Sequence, residues 1–211
     1  MTNKQNAYEK MAGGIIEKFK KRGFEGYYCN TAKEALEKAL EIIPKQSKIA
    51  WGGSESIKEI ELLNALSNGE YELFDRATAK TPEEQRQMYI SHVLSDYFLM
   101  SANAITLDGE LVNVDGNGNR TACLITGPKH VLMIVGMNKI AVDEAEAIKR
   151  VRNFAAPPNG VRLGTDTPCA VTGKCSDCLS PDCMCCHTII TRKSRIPNRI
   201  KIILVGEELG Y

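Results

Sequence analysis

Residues 26–53 read GYYCNTAKEALEKALEIIPKQSKIAWGG and predict one strand–helix–strand unit. The apolar run Gly26–Cys29 predicts a strand, and Thr31 begins the pattern TAKE, a capping box that opens a helix. Apolar residues then recur at helical spacing until Pro44 stops the helix. Lys48–Trp51 predicts the next strand, which ends at a pair of glycines.

The same units repeat along the rest of the chain. Further helices are predicted over residues 8–22, 56–66, 81–94 and 143–154. Further strands are predicted over residues 71–74, 97–100, 123–126 and 131–135, and a terminal hairpin over residues 188–191 and 200–205. Strands that alternate with helices indicate an α/β fold, with a mainly parallel sheet covered by helices. We expect a single domain over residues 1–211.

The charge balance argues against a nucleic-acid partner. The 211 residues include 25% charged residues and carry a formal net charge of +1, so no extended basic surface is expected. One local basic run is predicted to be the solvated face of the terminal hairpin. It consists of Arg192, Lys193, Arg195, Arg199 and Lys201.

The N-terminal sequence MTNKQNAYEKMAGGIIEKFKKRGF alternates charged and apolar residues. It has no long apolar segment, so it predicts no signal peptide, and no other stretch is long and apolar enough to span a bilayer. We therefore expect a cytoplasmic protein, in which structural disulfides are rare.

A first glycine turn, Gly52-Gly53-Ser54, follows a predicted strand and precedes a predicted helix. In α/β sheets this position is the carboxyl edge, where ligands usually bind. Glycines let backbone N–H groups approach an anion, so all three residues are candidate ligand-binding residues. The alternative is a tight turn with a serine N-cap and no ligand. The pattern matches neither a Walker loop nor a dinucleotide fingerprint, which argues against ATP and NAD.

A second polar stretch, residues 101–120, reads SANAITLDGELVNVDGNGNR and includes the hairpin turn signal Asp108-Gly109. Arg120 could bind a carboxylate or phosphate in bidentate fashion, and Asp115 could act as a general base. Three asparagines of this stretch are candidate ligand-binding donors: Asn103, Asn113 and Asn119. The alternative is a loop that uses left-handed conformations to change direction.

Six of the eight cysteines lie in residues 169–186, which read CAVTGKCSDCLSPDCMCC. In the cytosol such a cluster predicts a metal or redox site rather than a disulfide framework. Thiolates bind Zn²⁺ in closed structural sites and also hold iron–sulfur clusters, whereas Mg²⁺ and Ca²⁺ prefer oxygen ligands. We expect residues 165–190 to form a metal-binding loop; free, reduced cysteines in a disordered loop are the alternative.

Several motifs in a fixed order resemble one known family. They are GGSES, the stretch at residues 101–120, GPKHVLMIVGMNKI, AAPPN and TPCAVTGKCSDCLSPD. Together, from about residue 8 to the terminal EELGY, they resemble the lactate-utilisation (LUD) domain family. The chain looks most like the stand-alone branch, similar to the third subunit of the bacterial lactate-utilisation operon. The resemblance implies a fold like that of the sugar-phosphate isomerase and coenzyme A transferase superfamily.

The resemblance also implies a function and a ligand set. Members of the family take part in the oxidation of L-lactate to pyruvate with iron–sulfur partner proteins. Their pattern CxxTGxCxDCxSPxxxC maps onto Cys169, Cys175, Cys178 and Cys185 as metal ligands. Two further cysteines depart from that pattern, and His187 could replace one thiolate. The spacing matches neither ferredoxin pattern, so zinc and an iron–sulfur cluster both stay open.

Two hypotheses of different class follow from these residues. The first is an accessory subunit of lactate oxidation with metal at the cysteine loop. The second is an enzyme or binding protein of the transferase-like class, which takes a small anionic ligand, phosphate or CoA-like, at the glycine-rich turns. In that case the cysteine loop holds a purely structural zinc. The coenzyme A transferases of the superfamily use a glutamate, but no matching motif is evident here.

Overall fold

The structure, a computed structural model, describes residues 2–211. The strands are β1 (Glu25–Cys29), β2 (Lys48–Trp51), β3 (Glu72–Phe74), β4 (Tyr97–Met100), β5 (Ala104–Thr106), β6 (Leu111–Asp115), β7 (His130–Gly136), β8 (Ile140–Ala141), β9 (His187–Thr191) and β10 (Ile200–Val205). The α-helices are α1 (Asn3–Lys21), α2 (Ala32–Ile42), α3 (Glu55–Glu59), α4 (Leu62–Ser67), α5 (Pro82–Val93), α6 (Asn119–Ile125), α7 (Glu144–Arg150), α8 (Ala156–Leu163) and α9 (Pro168–Thr172). No helix within residues 2–211 has the length and apolar character needed to cross a membrane.

The first β–α–β unit, β1-α2-β2, forms as predicted from local signals in the sequence. The Thr31 hydroxyl accepts a hydrogen bond from the Glu34 backbone N–H and so caps α2. The same device recurs at α5, where Thr81 and Glu84 form a complete capping box ahead of Pro82. Each cap fixes where a helix begins, and therefore where the chain leaves the preceding strand.

Six strands form a parallel sheet in the order β1-β10-β7-β4-β2-β3. Apolar side chains cover both of its faces, one face packing against α1 and α6 and the other against α2, α3 and α4. The prediction of an α/β fold with a mainly parallel sheet is confirmed. Because the strands are parallel, their carboxyl ends meet at one edge, and the loops that leave that edge lie together.

A smaller sheet, in the order β8-β5-β6-β9, stands beside this edge. β5 and β6 pair antiparallel, and the turn between them includes Gly109 at φ +83°. The Asp108-Gly109 hairpin turn therefore lies where it was predicted. Since Asn113 and Asp115 belong to β6, this sheet carries the second polar stretch to the carboxyl edge of the first.

The predicted terminal hairpin is wrong. β9 pairs antiparallel with β6 in the small sheet, whereas β10 lies between β1 and β7 in the large sheet and is parallel to both. Residues Ile200–Val205 are almost all buried, which suits a central parallel strand rather than a solvated hairpin.

The predicted solvated face is correspondingly wrong for two of its basic residues. Arg199 is only 5% exposed and donates to the backbone carbonyls of Cys123, Leu124 and Pro128 at 2.9, 2.6 and 3.1 Å. These carbonyls lie at and just beyond the end of α6, so Arg199, the residue before β10, caps the C-terminal end of that helix. Lys201 pairs with Glu25 across β10 and β1.

Three further element predictions need correction. The apolar run 123–126 is not a strand, because its first residues form the last turn of α6. The predicted helix 56–66 is split at Glu61, which has φ +58°. The predicted helix 143–154 does not end at its two prolines: a π-helical turn, Val151–Ala155, leads into α8. The prolines occupy the first turn of α8, where proline is tolerated.

Candidate functional site

A cavity of about 150 Å³ opens at the carboxyl edge of the large sheet. Its walls come from the loops after β2, β4, β6 and β7 and from α8. The polar side chains that line it include Ser54, Asn103, Asp115, Arg120, Lys139 and Arg162. A second and larger cavity of about 890 Å³ adjoins it, and the two share Gly53, Ser54 and Arg162.

The structure gathers most of the predicted site residues at these two cavities. Gly53, Ser54, Asn103, Asp115 and Arg120 line the small cavity. Gly52 and Asn119 line the larger one. Asn113 is fully buried and lines neither cavity. Its role is therefore to hold Arg120, described next, rather than to meet a ligand.

The Arg120 guanidinium is directed at protein acceptors on all sides. Nη1 donates to Ser101 O and Asn113 Oδ1, both at 3.2 Å. Nη2 donates to Asn103 Oδ1 at 2.9 Å and to Val114 O at 2.7 Å. Nε lies 3.4 Å from Oδ2 of Asp115. With its donors engaged, Arg120 orients the cavity wall and contributes positive potential, but it has no free pair of N–H groups for a ligand.

The Asp115 carboxylate likewise makes its hydrogen bonds within the protein. Its Oδ2 accepts from the Thr121 backbone N–H at 3.1 Å, and its Oδ1 accepts from Gly118 N–H at 3.3 Å. Gly118 has φ +78°, which glycine adopts at little energetic cost. The carboxylate therefore fixes the turn that begins α6, and the same turn delivers Arg120 to the cavity.

Asn103 has one fixed end and one free end. Its Oδ1 accepts from Arg120 Nη2 at 2.9 Å and from the Val114 N–H at 3.0 Å, which fixes the orientation of the amide. Among residues 2–211, Nδ2 of Asn103 makes no hydrogen bond to the protein. Because Asn103 lines the cavity, this N–H₂ group is a donor available to a ligand.

The first glycine turn makes room for two arginines. A Cβ at Gly52 would lie 3.0 Å from Cδ of Arg120, and a Cβ at Gly53 would lie 3.1 Å from Nη2 of Arg76. Ser54 precedes α3 but makes no side-chain cap. Its buried Oγ has no hydrogen-bond partner in the part of the chain that the structure describes. The turn is thus more than a tight connection, because it brings cationic side chains against the backbone.

Sequence reasoning missed the most unusual group of the site, Lys139. It follows β7 in a short 3₁₀ turn and is only 4% exposed. Its Nζ donates to Ser56 Oγ at 2.9 Å and to Ser101 Oγ at 3.2 Å. The available signal was its position: Lys139 follows the apolar run 131–135 of β7, which ends at the same sheet edge as the two polar turns.

The surroundings of Lys139 disfavour its charge. Burial is the main cause that lowers its pKa to about 7; the nearby charges of Arg150 and Arg120 act in the same direction, while Glu59 opposes them. Within residues 2–211 no carboxylate lies within ion-pair distance of Nζ. The two acidic side chains that line the cavity are already paired, Asp115 with Arg120 and Glu55 with both Lys58 and Arg162. Lys139 is therefore a buried cation without an acidic partner.

The last residues of the chain close one side of the cavity. Ser56 Oγ donates to Leu209 O at 3.2 Å, and the Gly210 N–H donates to Glu59 Oε2 at 2.6 Å. A Cβ at Gly210 would lie 2.9 Å from Ser56 Oγ and 3.1 Å from Lys139 Nζ, so only glycine fits this approach.

The cysteine-rich stretch has no helix or strand between α9 and β9. Partial burial and then four nearby thiols, those of Cys183, Cys169, Cys175 and Cys178, raise the pKa of Cys185 to about 11. In the described residues no three His, Cys, Asp or Glu side chains are arranged to hold a metal ion. Thiolates are ligands that both zinc and iron–sulfur clusters use. To bind either one, the sulfur atoms of these cysteines would have to move closer together.

This stretch also contacts the wall of the small cavity. Nδ2 of Asn159, a cavity residue on α8, donates to Met184 Sδ at 3.4 Å. A Cβ at Gly116 would lie 3.5 Å from Cα of Met184. The loop that carries the cysteines is therefore packed directly behind the residues that face a ligand.

Comparison with known proteins identifies the family of this chain. The family model described as the LUD domain matches residues 13–205. The chain belongs to the LUD domain family. The resemblance seen in the motifs is thereby confirmed. The comparison with curated proteins gives no match.

A solved structure shows that this LUD domain shares its fold with another protein. A crystal structure of a DUF162 family protein from Deinococcus radiodurans superposes with a TM-score of 0.56. The alignment covers 94% of this chain and 98% of that one, at 11% sequence identity. At this identity the likeness concerns the fold alone.

Proposed function

We propose that this LUD-family chain is a cytoplasmic accessory subunit, similar to the third subunit of the bacterial lactate-utilisation operon, in the oxidation of L-lactate to pyruvate with iron–sulfur partner proteins. Its own contribution is to bind the small carboxylate at the cavity beside Lys139. The observation that carries this proposal is the buried Lys139 amino group, which lacks an acidic partner within ion-pair distance in the protein as far as the structure describes it.

The size of the cavity supports a ligand of this class. An apolar cavity of about 150 Å³ holds one benzene molecule, whereas drug-sized ligands occupy about 300–1,000 Å³. The cavity here is also about 150 Å³. L-lactate and pyruvate, with as many non-hydrogen atoms as benzene, match this volume.

The charges around the cavity support an anion. Three cationic side chains line it, and in the described residues one of them, Lys139, has no acidic partner within ion-pair distance, so the site favours a negatively charged ligand. A carboxylate placed beside Lys139 would offset the penalty of burying that cation. The free Nδ2 of Asn103 would donate to the hydroxyl or carbonyl oxygen of the ligand.

Reconstitution of the oxidation reaction tests the proposed role. L-lactate-dependent reduction of an electron-accepting dye is measured with the iron–sulfur partner proteins, with and without this chain. We expect addition of the chain to raise the rate by at least about tenfold, the effect of ~1.4 kcal/mol on a barrier. Addition of a Lys139→Met variant should give little increase, and a Lys149→Met variant on the exposed face of α7 should act like the natural chain.

A second candidate function is favoured by the larger adjoining cavity. It combines apolar residues such as Trp51 and Tyr89 with the cations Lys58 and Arg76, and it meets the small cavity at Arg162. This combination suits a phosphate or CoA-like ligand of the transferase-like class. If addition of the chain leaves the rate of lactate oxidation unchanged and the chain binds coenzyme A, the accessory role is contradicted and this second candidate is supported.

We further propose a metal at the cysteine loop, held by Cys169, Cys175, Cys178 and Cys185. The donor set and the proximity of these thiols support it. A hydrogen bond with Ser180 lowers the pKa of Cys178 and so favours the thiolate that a metal requires. An iron–sulfur cluster would supply electron transfer, whereas zinc would hold the loop against α8.

The identity of the metal is measurable in protein purified without oxygen. Iron with labile sulfide and a brown colour identifies a cluster, and colourless protein with about one zinc per chain identifies a closed structural site. In either case a Cys175→Ser, Cys178→Ser double variant should lose the metal, whereas Cys29→Ser in β1 should keep it. Metal-free natural protein under these conditions would contradict the proposal.

A further inference from the structure

We infer that Lys139 is a nucleophile that condenses with the carbonyl group of a small 2-oxo acid in this cavity and holds it as an imine. The assignment of pyruvate as that acid rests on the proposed function. The assignment of Lys139 as the reacting group rests on its own hydrogen bonds, its burial and the charges around it.

The hydrogen bonds of Lys139 fit an uncharged amine. The Ser56 hydroxyl donates its proton to Leu209 O, and the Ser101 hydroxyl donates to Ala102 O, both at 3.2 Å. Each serine can therefore only accept from Lys139 Nζ. Two acceptors satisfy the two hydrogens of a neutral amine, and the lone pair is left for a carbonyl carbon.

Two of the three charged groups that act on Nζ also favour the uncharged amine. Arg150 and Arg120 oppose a further positive charge, and Glu59 is the acid that favours one. Asp115 and Glu55 are paired with arginines and are not free to neutralise the lysine. With a pKa of about 7, about half of the Lys139 side chains are uncharged at neutral pH. An exposed lysine is uncharged in only about one molecule in 2,500.

The condensation needs no other reactant. The Nζ lone pair attacks the carbonyl carbon, a C–N bond forms, and the C–O bond breaks. The oxygen leaves as water with the two hydrogens of the amine, so neither partner is oxidised or reduced. The carboxylate of the same ligand then lies beside the imine nitrogen, and it supplies the negative partner that this buried nitrogen lacks when protonated.

Reductive trapping tests the inference. The full chain is incubated with pyruvate and sodium cyanoborohydride, which reduces an imine to a stable secondary amine, and the modified residue is located by peptide mass spectrometry. We expect the modification at Lys139 to exceed that at any exposed lysine by about 100-fold or more, given the ~10³-fold larger fraction of free amine. The trapping rate should rise with pH through about 7 and then level off.

Matched reactions make the result decisive. Lys139→Arg should abolish the adduct, Lys149→Arg should leave it unchanged, and L-lactate should suppress it because it competes for the cavity but has no carbonyl group. Pyruvate that binds but gives no Lys139 adduct overturns the imine and leaves the carboxylate site standing. Pyruvate that neither binds nor reacts overturns both. Equal modification of exposed lysines also overturns the imine, since it shows that Lys139 has no special reactivity.

Discussion

Replacement of Lys139 by methionine is expected to stabilise the protein at pH 6 by about 1–4 kcal/mol in its free energy of unfolding. Lysine and methionine have similar length, so the replacement fills the same space. It removes a charge that is buried without an acidic partner, and it gives up only two hydrogen bonds to serine hydroxyls.

The pH dependence separates this effect from a simple packing change. The pKa of Lys139 falls from 10.5 to about 7 on folding, so unfolding at pH 6 leaves its protonation unchanged, whereas unfolding between pH 7 and 10.5 takes up a proton. The loss in free energy of unfolding caused by the buried charge is therefore largest below pH 7, and it declines as the pH rises above 7. From pH 6 to pH 9 the advantage of the methionine variant should shrink by about 2–3 kcal/mol.

Urea unfolding of both proteins at pH 6 and pH 9 checks this expectation. Lys149→Met is the matched control, because that lysine is exposed and paired with Glu146 at the surface, and it should change stability by no more than about 0.5 kcal/mol. A Lys139→Met protein that is less stable than the natural chain at pH 6 would show that Lys139 stabilises the fold. A buried group that lowers stability is what a functional site is expected to contain.

The elements that the sequence predicted correctly are those with signals inside a few residues. Thr31, Thr81 and Pro82 act on their own helices, and an Asp-Gly pair sets the β5–β6 turn. The largest error, the terminal hairpin, concerns strands whose partners are far away in the sequence. Nothing near Ile200–Val205 indicates that this strand lies between β1 and β7, because its neighbours are selected by burial in the folded sheet.

In the candidate site, too, the positions of residues were easier to predict than the contacts that they make. The sequence identified residues 52–54 and 101–120 as polar stretches that follow strands, and both line adjoining cavities because parallel strands end at one edge. The roles depend on contacts that spacing does not reveal. Arg120 was predicted to bind a ligand, yet its donors are directed at the protein. Lys139 was missed because its partners, Ser56 and Ser101, converge on it only in three dimensions.

The second large expected effect is a loss of affinity for the small carboxylate ligand. We expect pyruvate and L-lactate to bind to the natural chain at one site, and Lys139→Met to weaken that binding by about 30-fold or more. This corresponds to the ~2 kcal/mol or more that is lost with one partner of a buried charge pair. Because the same variant is expected to be more stable at pH 6, weaker binding cannot be attributed to loss of the fold.

Isothermal titration of the purified chain with pyruvate at pH 6 is therefore the measurement that tests the carboxylate site most directly. Lys139→Met and Lys149→Met are titrated beside the natural chain, and lactamide, which has the shape of lactate without its charge, serves as the ligand control. Saturable binding of pyruvate that is kept in Lys149→Met, weakened in Lys139→Met and absent with lactamide is the predicted result. No saturable binding, or equal affinity in the natural chain and Lys139→Met, would contradict the assignment of this cavity to a small carboxylate.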